Sequence, residues 1–268
     1  MLTLEEIQLE EINILYETVK FLKKNNIKYY LWGGTLLGAI RHKGFIPWDD
    51  DIDIVVPRPD YIRLIKMLSS NNNISNYIAT CFEIDNSDWP YLKVINPSIQ
   101  LESKNALDKY LWIDIFPLDA LPDNYNSFFK SIKRKQHQFI LQRKCLHNIR
   151  YSDKSRRFLQ RVWWFFCKGI PLGVFIEKYQ AKASKYDYSK AKYVGSILWG
   201  IHPGNILKKE WLEDYEVEFE GMKMNAFKGY DNYLKNRYGE NYMELPPIEQ
   251  RATHSFIARR VKNEKNKK

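Results

Sequence analysis

Three aspartates at alternate positions, Asp49, Asp51 and Asp53, are the residues of this sequence best suited to chemistry. In an extended segment these three carboxylates share one face, and Ile52 and Ile54 point to the other. Crowded carboxylates repel each other and raise each other's pKa unless a cation lies among them. Hard oxygen ligands of this kind suit Mg²⁺ or Mn²⁺, which also bind water and substrate phosphates. The spacing therefore predicts a metal site with Asp51 and Asp53 as its central pair.

Two other interpretations of the aspartates are weaker. An EF-hand calcium loop requires Gly at its sixth position and Glu at its twelfth, and Ile54 and Asp60 stand there instead. A solvated acidic turn, in which Asp49 or Asp50 only caps, would leave carboxylates beside isoleucines in a buried strand, and unpaired buried charge is costly.

A glycine turn precedes the aspartates. Gly33 and Gly34 follow the apolar run 29–32 and lead into a short helix predicted over 35–40. The turn has neither the P-loop nor the dinucleotide-binding pattern. Backbone N–H groups at the start of a helix can nevertheless bind a phosphate, and Thr35 could add a hydroxyl. The segment predicts a phosphate site beside a metal site.

Composition indicates a folded protein with an anionic partner. The 268 residues are 44% hydrophobic and 15% aromatic, and the net charge is +10. Cys81, Cys145 and Cys167 lack the spacing of a zinc site and fit a reduced protein. No secretory signal is recognisable, and the apolar stretch 163–176 is too short to span a bilayer. These features favour a cytoplasmic location.

Periodicity and turn residues predict an α+β fold. Helices are expected after the Thr3–Glu6 capping box and over 60–68 and 230–238; strands are expected over 29–32, 51–56, 77–82, 91–95, 111–116 and 215–219, with Pro117 ending the fifth. Long basic and aromatic segments from 123 to 188 predict helices. We divide the chain into a catalytic core at 1–122, a helical insertion at 123–205 and a C-terminal part at 206–268 that packs back on the core and ends in the basic tail 259–268.

The segment from Gly34 to Ile54 closely resembles the signature of the LicD family, bacterial phosphocholine transferases related to fukutin and fukutin-related protein. Further matches are 112–119, 219–221 and 238–247, followed by Arg251 and His254. The resemblance implies a nucleotidyltransferase-like core, a small mixed sheet flanked by helices, with the glycine turn and the aspartates on neighbouring elements.

The resemblance also implies roles for individual residues. Such enzymes usually complete the metal site with a carboxylate from a later strand, and Asp114 matches that position. The implied catalytic residues are Asp51, Asp53 and Asp114; the implied Mg²⁺ or Mn²⁺ ligands are Asp49, Asp51, Asp53 and Asp114; and the implied substrate-binding residues are Gly33, Gly34, Thr35, Arg41, Lys93, Arg251 and His254.

The reaction implied by the resemblance is transfer of phosphocholine from CDP-choline to a sugar hydroxyl, with release of CMP. The acceptor would be a cell-surface glycan, such as a precursor of teichoic acid, lipopolysaccharide or capsule, free or lipid-linked. A choline group suits an aromatic cage, for which Trp48, Trp112 and Trp199 are available.

Other functions stay open. A related CDP-alcohol would deliver ribitol phosphate or glycerol phosphate instead. A nucleotidyltransferase acting on nucleic acid fits the charge, but no nucleic-acid-binding motif is present and we expect no nucleic acid partner. A non-catalytic glycan- or membrane-binding module would not need both a phosphate turn and a carboxylate trio.

The segment 156–176 has two interpretations. Its tryptophans and phenylalanines with flanking cations suit peripheral contact with the inner face of the cell membrane. A core helix of the insertion is the more ordinary explanation, and the sequence favours it.

Overall fold

The computed structural model describes residues 1–102, 108–198, 202–251 and 256–261, and it contains both helices and strands. The α-helices of these residues are α1 (Leu4–Lys24), α2 (Gly33–His42), α3 (Arg58–Leu68), α4 (Phe82–Asp85), α5 (Tyr125–Leu146), α6 (Lys154–Cys167), α7 (Leu172–Ala183) and α8 (Tyr230–Tyr238). The strands are β1 (Tyr30–Leu31), β2 (Asp53–Pro57), β3 (Asn73–Ile74), β4 (Tyr77–Thr80), β5 (Leu92–Glu102), β6 (Tyr110–Leu121), β7 (Tyr193–Gly195), β8 (Ile206–Lys208), β9 (Asp214–Phe219), β10 (Met222–Phe227) and β11 (Ile257–Arg260).

The main sheet runs in the order β1-β2-β6-β5-β4-β3. Strand β11 pairs with the far end of β5, and β7 joins the far end of β6 and carries β8 on its other edge. The β2–β6 pairing is parallel, whereas the other pairings in the described residues are antiparallel. Strands β9 and β10 form a separate hairpin. This mixed sheet with flanking helices confirms the predicted α+β class and is consistent with a nucleotidyltransferase-like core.

Local sequence explains where the helices begin and end. Thr3 and Glu6 form the predicted capping box of α1, each side chain accepting a hydrogen bond from the other residue's N–H. Helix α8 covers the predicted 230–238 and ends at Gly239, whose φ of 96° is accessible to glycine. Both helices place their apolar residues in the single hydrophobic core.

Several predicted boundaries were wrong, among them those of α2, β2 and β6. Helix α2 begins at Gly33, two residues earlier than predicted, so both glycines belong to its first turn. Strand β2 begins at Asp53, leaving Asp51 in the loop before it. Pro117 does not end β6: Ile115 is the last residue opposite β5 and Asp119 the first opposite β7, so the proline lies where β6 changes partners and its missing N–H is tolerated.

The segment 123–205 contains the three helices α5, α6 and α7 and ends with β7, which adds to the sheet. The division into three domains remains a prediction. The interpretation of α6 as a core helix was wrong for Phe165 and Phe166, which are 72% and 74% exposed, whereas Trp163 of the same helix packs against the core. Within the described ranges, no helix is long and apolar enough to cross a membrane.

Candidate active site

Two of the predicted carboxylates are brought together by the parallel pairing of β2 and β6. In this register Asp53 lies opposite Asp114, although 60 residues separate them in the chain. Backbone bonds fix the pair: the Asp114 N–H donates to the Ile52 carbonyl at 2.9 Å, and the Trp32 N–H donates to the Asp53 carbonyl at 3.0 Å. The sheet therefore places both carboxylates at the point where β1 turns into α2.

The glycine turn packs directly on the carboxylates. A β-carbon on Gly33 would lie 3.1 Å from Asp53 Oδ2, and one on Gly34 would lie 2.8 Å from Asp49 Oδ2. Gly33 also has a left-handed φ of 54°, which glycine adopts without strain. Each glycine thus leaves space that a carboxylate occupies, beside the positive end of α2.

Thr35 has a structural contact that the sequence did not indicate. Its buried hydroxyl accepts a 2.8 Å hydrogen bond from the Asp53 N–H and so ties the first turn of α2 to the start of β2. The Gly33 N–H donates to the Tyr233 hydroxyl of α8 at 3.3 Å. A contact between either residue and a substrate phosphate stays a prediction.

Exposure alternates along the aspartate segment as the spacing predicts. Asp49, Asp51 and Asp53 are half-buried, whereas Asp50 and Ile52 between them are buried. This places the three alternate carboxylates on the more open side, even though only Asp53 lies within the strand.

The carboxylates carry more negative charge than their surroundings balance. Burial, followed by the neighbouring Asp51 and Asp50, raises the pKa of Asp49 to about 8, and its side chain is hydrogen-bonded to Asp51. Burial and then Asp51 raise the pKa of Asp53 well above its usual value. Burial also raises the pKa of Asp114 to about 6, against the lowering effect of Lys93. Such mutual repulsion is relieved when a cation binds.

This donor set fits a hard divalent cation. It consists of carboxylate oxygens, which are the ligands that Mg²⁺ and Mn²⁺ prefer. In the part of the chain that the structure describes, no group of three or more His, Cys, Asp or Glu side chains has an arrangement that could hold a metal ion. Metal binding by Asp49, Asp51, Asp53 and Asp114 therefore remains a prediction, which their chemistry and mutual repulsion support.

Lys93 is buried beside the carboxylates. On β5 it lies opposite Asp114, and its Nζ is 2.9 Å from Asp114 Oδ1 and 3.2 Å from Asp108 Oδ1. The ammonium also lies 4.0 Å from the ring centroid of Trp89 and 4.2 Å from that of Trp112. Two carboxylates and two rings thus fix a charge that is only 2% exposed. The structure shows Lys93 bound to protein groups, and its contact with substrate stays a prediction.

Two of the other predicted basic residues, Arg41 and Arg251, bind backbone carbonyls. The guanidinium of Arg41 donates to the carbonyls of Tyr242 and Glu244 at 2.9 and 3.0 Å, so it connects α2 to the loop after α8. Arg251 donates to the Pro246 carbonyl and lies 4.3 Å from the centroid of Trp48. Their substrate contacts remain predictions. His254 and Trp199 lie outside the described residues.

Two charged residues near the site were missed at the sequence level. Glu11 of α1 is 1% exposed, and its pKa is raised by burial and then by Asp51, Asp50 and Asp49, which places a further carboxylate near the cluster. Arg143 of α5 is 5% exposed and lies 3.6 Å from the centroid of Trp89, and among the described residues its Nε and Nη2 have no hydrogen-bond partner. The signal was available, because each occupies a position on the buried face of its helix.

Comparison with known proteins agrees with this geometry. The family model described as "LicD/FKTN/FKRP, nucleotidyltransferase domain" matches residues 26–153, which include the glycine turn, the aspartates and Asp114. The chain is 31% identical over 264 residues to the lipopolysaccharide cholinephosphotransferase LicD of Haemophilus influenzae, covering 94% of this chain and 96% of that protein.

Shorter matches reach more distant proteins. An uncharacterized protein of Rickettsia prowazekii is 33% identical over 115 residues, 39% of this chain and 43% of that protein. Human ribitol 5-phosphate transferase FKRP is 43% identical over 47 residues, 16% of this chain and 10% of that protein. The near full-length match to LicD, together with the family model, shows that this chain belongs to the LicD family.

Proposed function

We propose that this protein transfers phosphocholine from CDP-choline to a sugar hydroxyl of a cell-surface glycan and releases CMP. Its family makes it a phosphotransferase. The observation that carries the proposal is the register of Asp53 against Asp114 under the glycine turn, because it joins a carboxylate site to a helix N-terminus suited to phosphate. The extent of the match to a lipopolysaccharide cholinephosphotransferase supports choline as the head group.

The residues that would hold a metal are Asp49, Asp51, Asp53 and Asp114. A bound Mg²⁺ or Mn²⁺ would supply Lewis-acid polarisation of the donor's phosphates. The chain itself fixes the backbone of Asp53 and Asp114 through the β2–β6 pairing and the Thr35 hydrogen bond, so the positions of these two residues do not depend on the donor.

In the proposed reaction the acceptor oxygen forms a bond to the phosphorus that carries choline, and the bond from that phosphorus to the CMP oxygen breaks. The hydroxyl proton passes to a carboxylate of the site, for which Asp114 is our choice if it is not itself a metal ligand. Lys93 keeps a positive charge beside Asp114. Arg143, whose Nε and Nη2 have no hydrogen-bond partner in the described part of the chain, would stabilise negative charge on the donor or on departing CMP.

The head group has one specific alternative. The matching segment of human FKRP, a ribitol 5-phosphate transferase, supports ribitol phosphate as cargo. Glycerol phosphate would use the same chemistry. The acceptor, whether a lipopolysaccharide, teichoic acid or capsule precursor and whether lipid-linked, is part of the proposal and must be determined by experiment.

The test is CMP release by the purified protein with Mg²⁺ and each of CDP-choline, CDP-ribitol and CDP-glycerol, with a glycan acceptor or a nucleic acid control. We expect turnover that requires both CDP-choline and glycan, and that falls at least about 100-fold in Asp53→Asn. Asp187→Asn, which alters an exposed aspartate, is the matched control. Turnover with CDP-ribitol but not with CDP-choline would identify ribitol phosphate, and not phosphocholine, as the transferred group. Activity of Asp53→Asn equal to that of the wild type would refute the proposed site.

A further inference from the structure

Helix α6 presents a continuous apolar surface to solvent. The side chains of this α6 apolar face are 37–74% exposed and recur at helical spacing, with one more just beyond the helix: Phe158, Leu159, Val162, Phe165, Phe166 and Ile170. Gln160 is the one buried residue of the helix. Large exposed apolar patches of this kind mark interaction sites.

Positive charge surrounds this face. Lys154, Arg156, Arg157, Arg161 and Lys168 lie in or next to α6, and 154–168 contains no acidic residue. Lys154, Arg161 and Lys168 recur every seven residues and therefore follow one edge of the Phe158–Phe165 row. An apolar stripe bordered by cations is the pattern of a helix that lies in a membrane interface.

A cavity beside the helix adds a place for an anionic head group. It has a volume of about 160 Å³ and is lined by Arg150, Arg157 and Arg161, with Trp164 and Cys145 among its other walls. Arg157 is held by the carbonyls of Tyr151 and Ser152. In the described residues, Arg150 and Arg161 have no ion-pair partner. Their charges are available to phosphate oxygens.

We infer that α6 docks the protein on an anionic phospholipid surface, with the α6 apolar face among the acyl chains and lipid phosphates at Arg150 and Arg161. A second copy of the chain fits less well, because two α6 faces in contact would bring like charges together. The inference goes beyond the proposed transfer reaction and does not depend on the donor. It would bring the protein to the membrane surface, where a lipid-linked acceptor is found.

The test is co-sedimentation of the full chain with vesicles of phosphatidylcholine alone or mixed with phosphatidylglycerol. We expect binding to the anionic vesicles, weakened roughly ten-fold or more in the Phe165→Ser/Phe166→Ser double variant and reduced by higher salt or by Arg161→Glu. Ile62→Ser, which changes a 58% exposed residue of α3, is the matched control and should bind normally.

Each variant is also checked by thermal unfolding and by CMP release with a water-soluble acceptor, neither of which should change. This separates failure of docking from failure of the proposed function. The inference is overturned if the wild-type protein does not bind anionic vesicles, or if the double variant binds them as strongly as the wild type does. So does a concentration-dependent dimer in analytical ultracentrifugation that the double variant loses.

Discussion

Substitution of Gly34 by alanine should lower activity without lowering stability. A β-carbon there would lie 2.8 Å from Asp49 Oδ2, closer than carbon and oxygen can approach, so the carboxylate must move by several tenths of an ångström. The backbone itself tolerates alanine, because Gly34 is helical and lacks the left-handed φ of Gly33. Alanine should even favour the helix, by up to about 1 kcal/mol in a helix interior and less in a first turn.

We therefore expect Gly34→Ala to unfold at or above the wild-type temperature while kcat/KM for CMP release falls roughly 10–100-fold, since small displacements of catalytic groups cost that much. The assay pairs a thermal melt with initial rates over a range of Mg²⁺ concentrations. Displacing a metal ligand should weaken Mg²⁺ binding, so the variant should need more Mg²⁺ to reach half of its maximal rate. Gly169→Ala is the matched control, since its β-carbon would meet nothing within 4 Å. Unchanged kcat/KM in Gly34→Ala would refute a metal-ligating role for Asp49 against the turn.

Three further substitutions or additions test other parts of the site. Mg²⁺ or Mn²⁺ should stabilise the protein by relieving repulsion among the carboxylates, by about 2.7 kcal/mol at a concentration of 100 times its Kd, and should raise the melting temperature accordingly. The rise should be much smaller in Asp53→Asn, and an equal rise in both proteins by calorimetry would speak against this site. Arg143→Gln should raise KM for the donor about ten-fold, and Arg143→Lys should raise it less, because lysine keeps the positive charge over Trp89 and loses only the guanidinium's forked donors. Normal steady-state kinetics in both variants, as expected for the exposed control Arg134→Gln, would exclude a substrate contact. Asp119→Asn breaks the buried ion pair with Arg58, whose Nε and Nη2 donate to the carboxylate at 2.6 and 2.9 Å. The free energy of unfolding in urea should fall by about 3–5 kcal/mol, whereas Asp187→Asn should have a negligible effect; a loss below about 1 kcal/mol would contradict the argument.

The elements that carry the site were predictable because their signals are local. The capping box of α1 and the helix that ends at Gly239 depend on residues a few positions apart, as does the alternation of aspartates. The continuation of β6 through Pro117 was not predictable, because it depends on which strands lie beside β6 at that point. Short-range patterns do not contain that information.

The same distinction applies to the charged residues. The adjacency of Asp53 and Asp114 depends on a long-range register, and only the family resemblance pointed to it. Arg41 and Lys93 were predicted as cations of the site, but a charge alone does not say whether it bonds backbone carbonyls, as Arg41 does, or carboxylates, as Lys93 does. Glu11 and Arg143 could have been found from the sequence, because each is a charged residue on the buried face of its helix. Burying a charge costs free energy unless the charge is paired, so such a position suggests a role in a site.

The positions of these cations also bear on where choline would bind. Lys93 lies within 4.2 Å of the Trp112 centroid, and Arg251 lies 4.3 Å from that of Trp48. A quaternary ammonium is attracted to a ring by the same quadrupole, so it competes with a protein cation for the same face. Lys93 is held by two carboxylates and is the harder to displace, whereas Arg251 contacts one carbonyl and one ring among the described residues. Of the two described tryptophans predicted for a choline cage, Trp48 is therefore the one that a donor head group can reach by moving a single arginine.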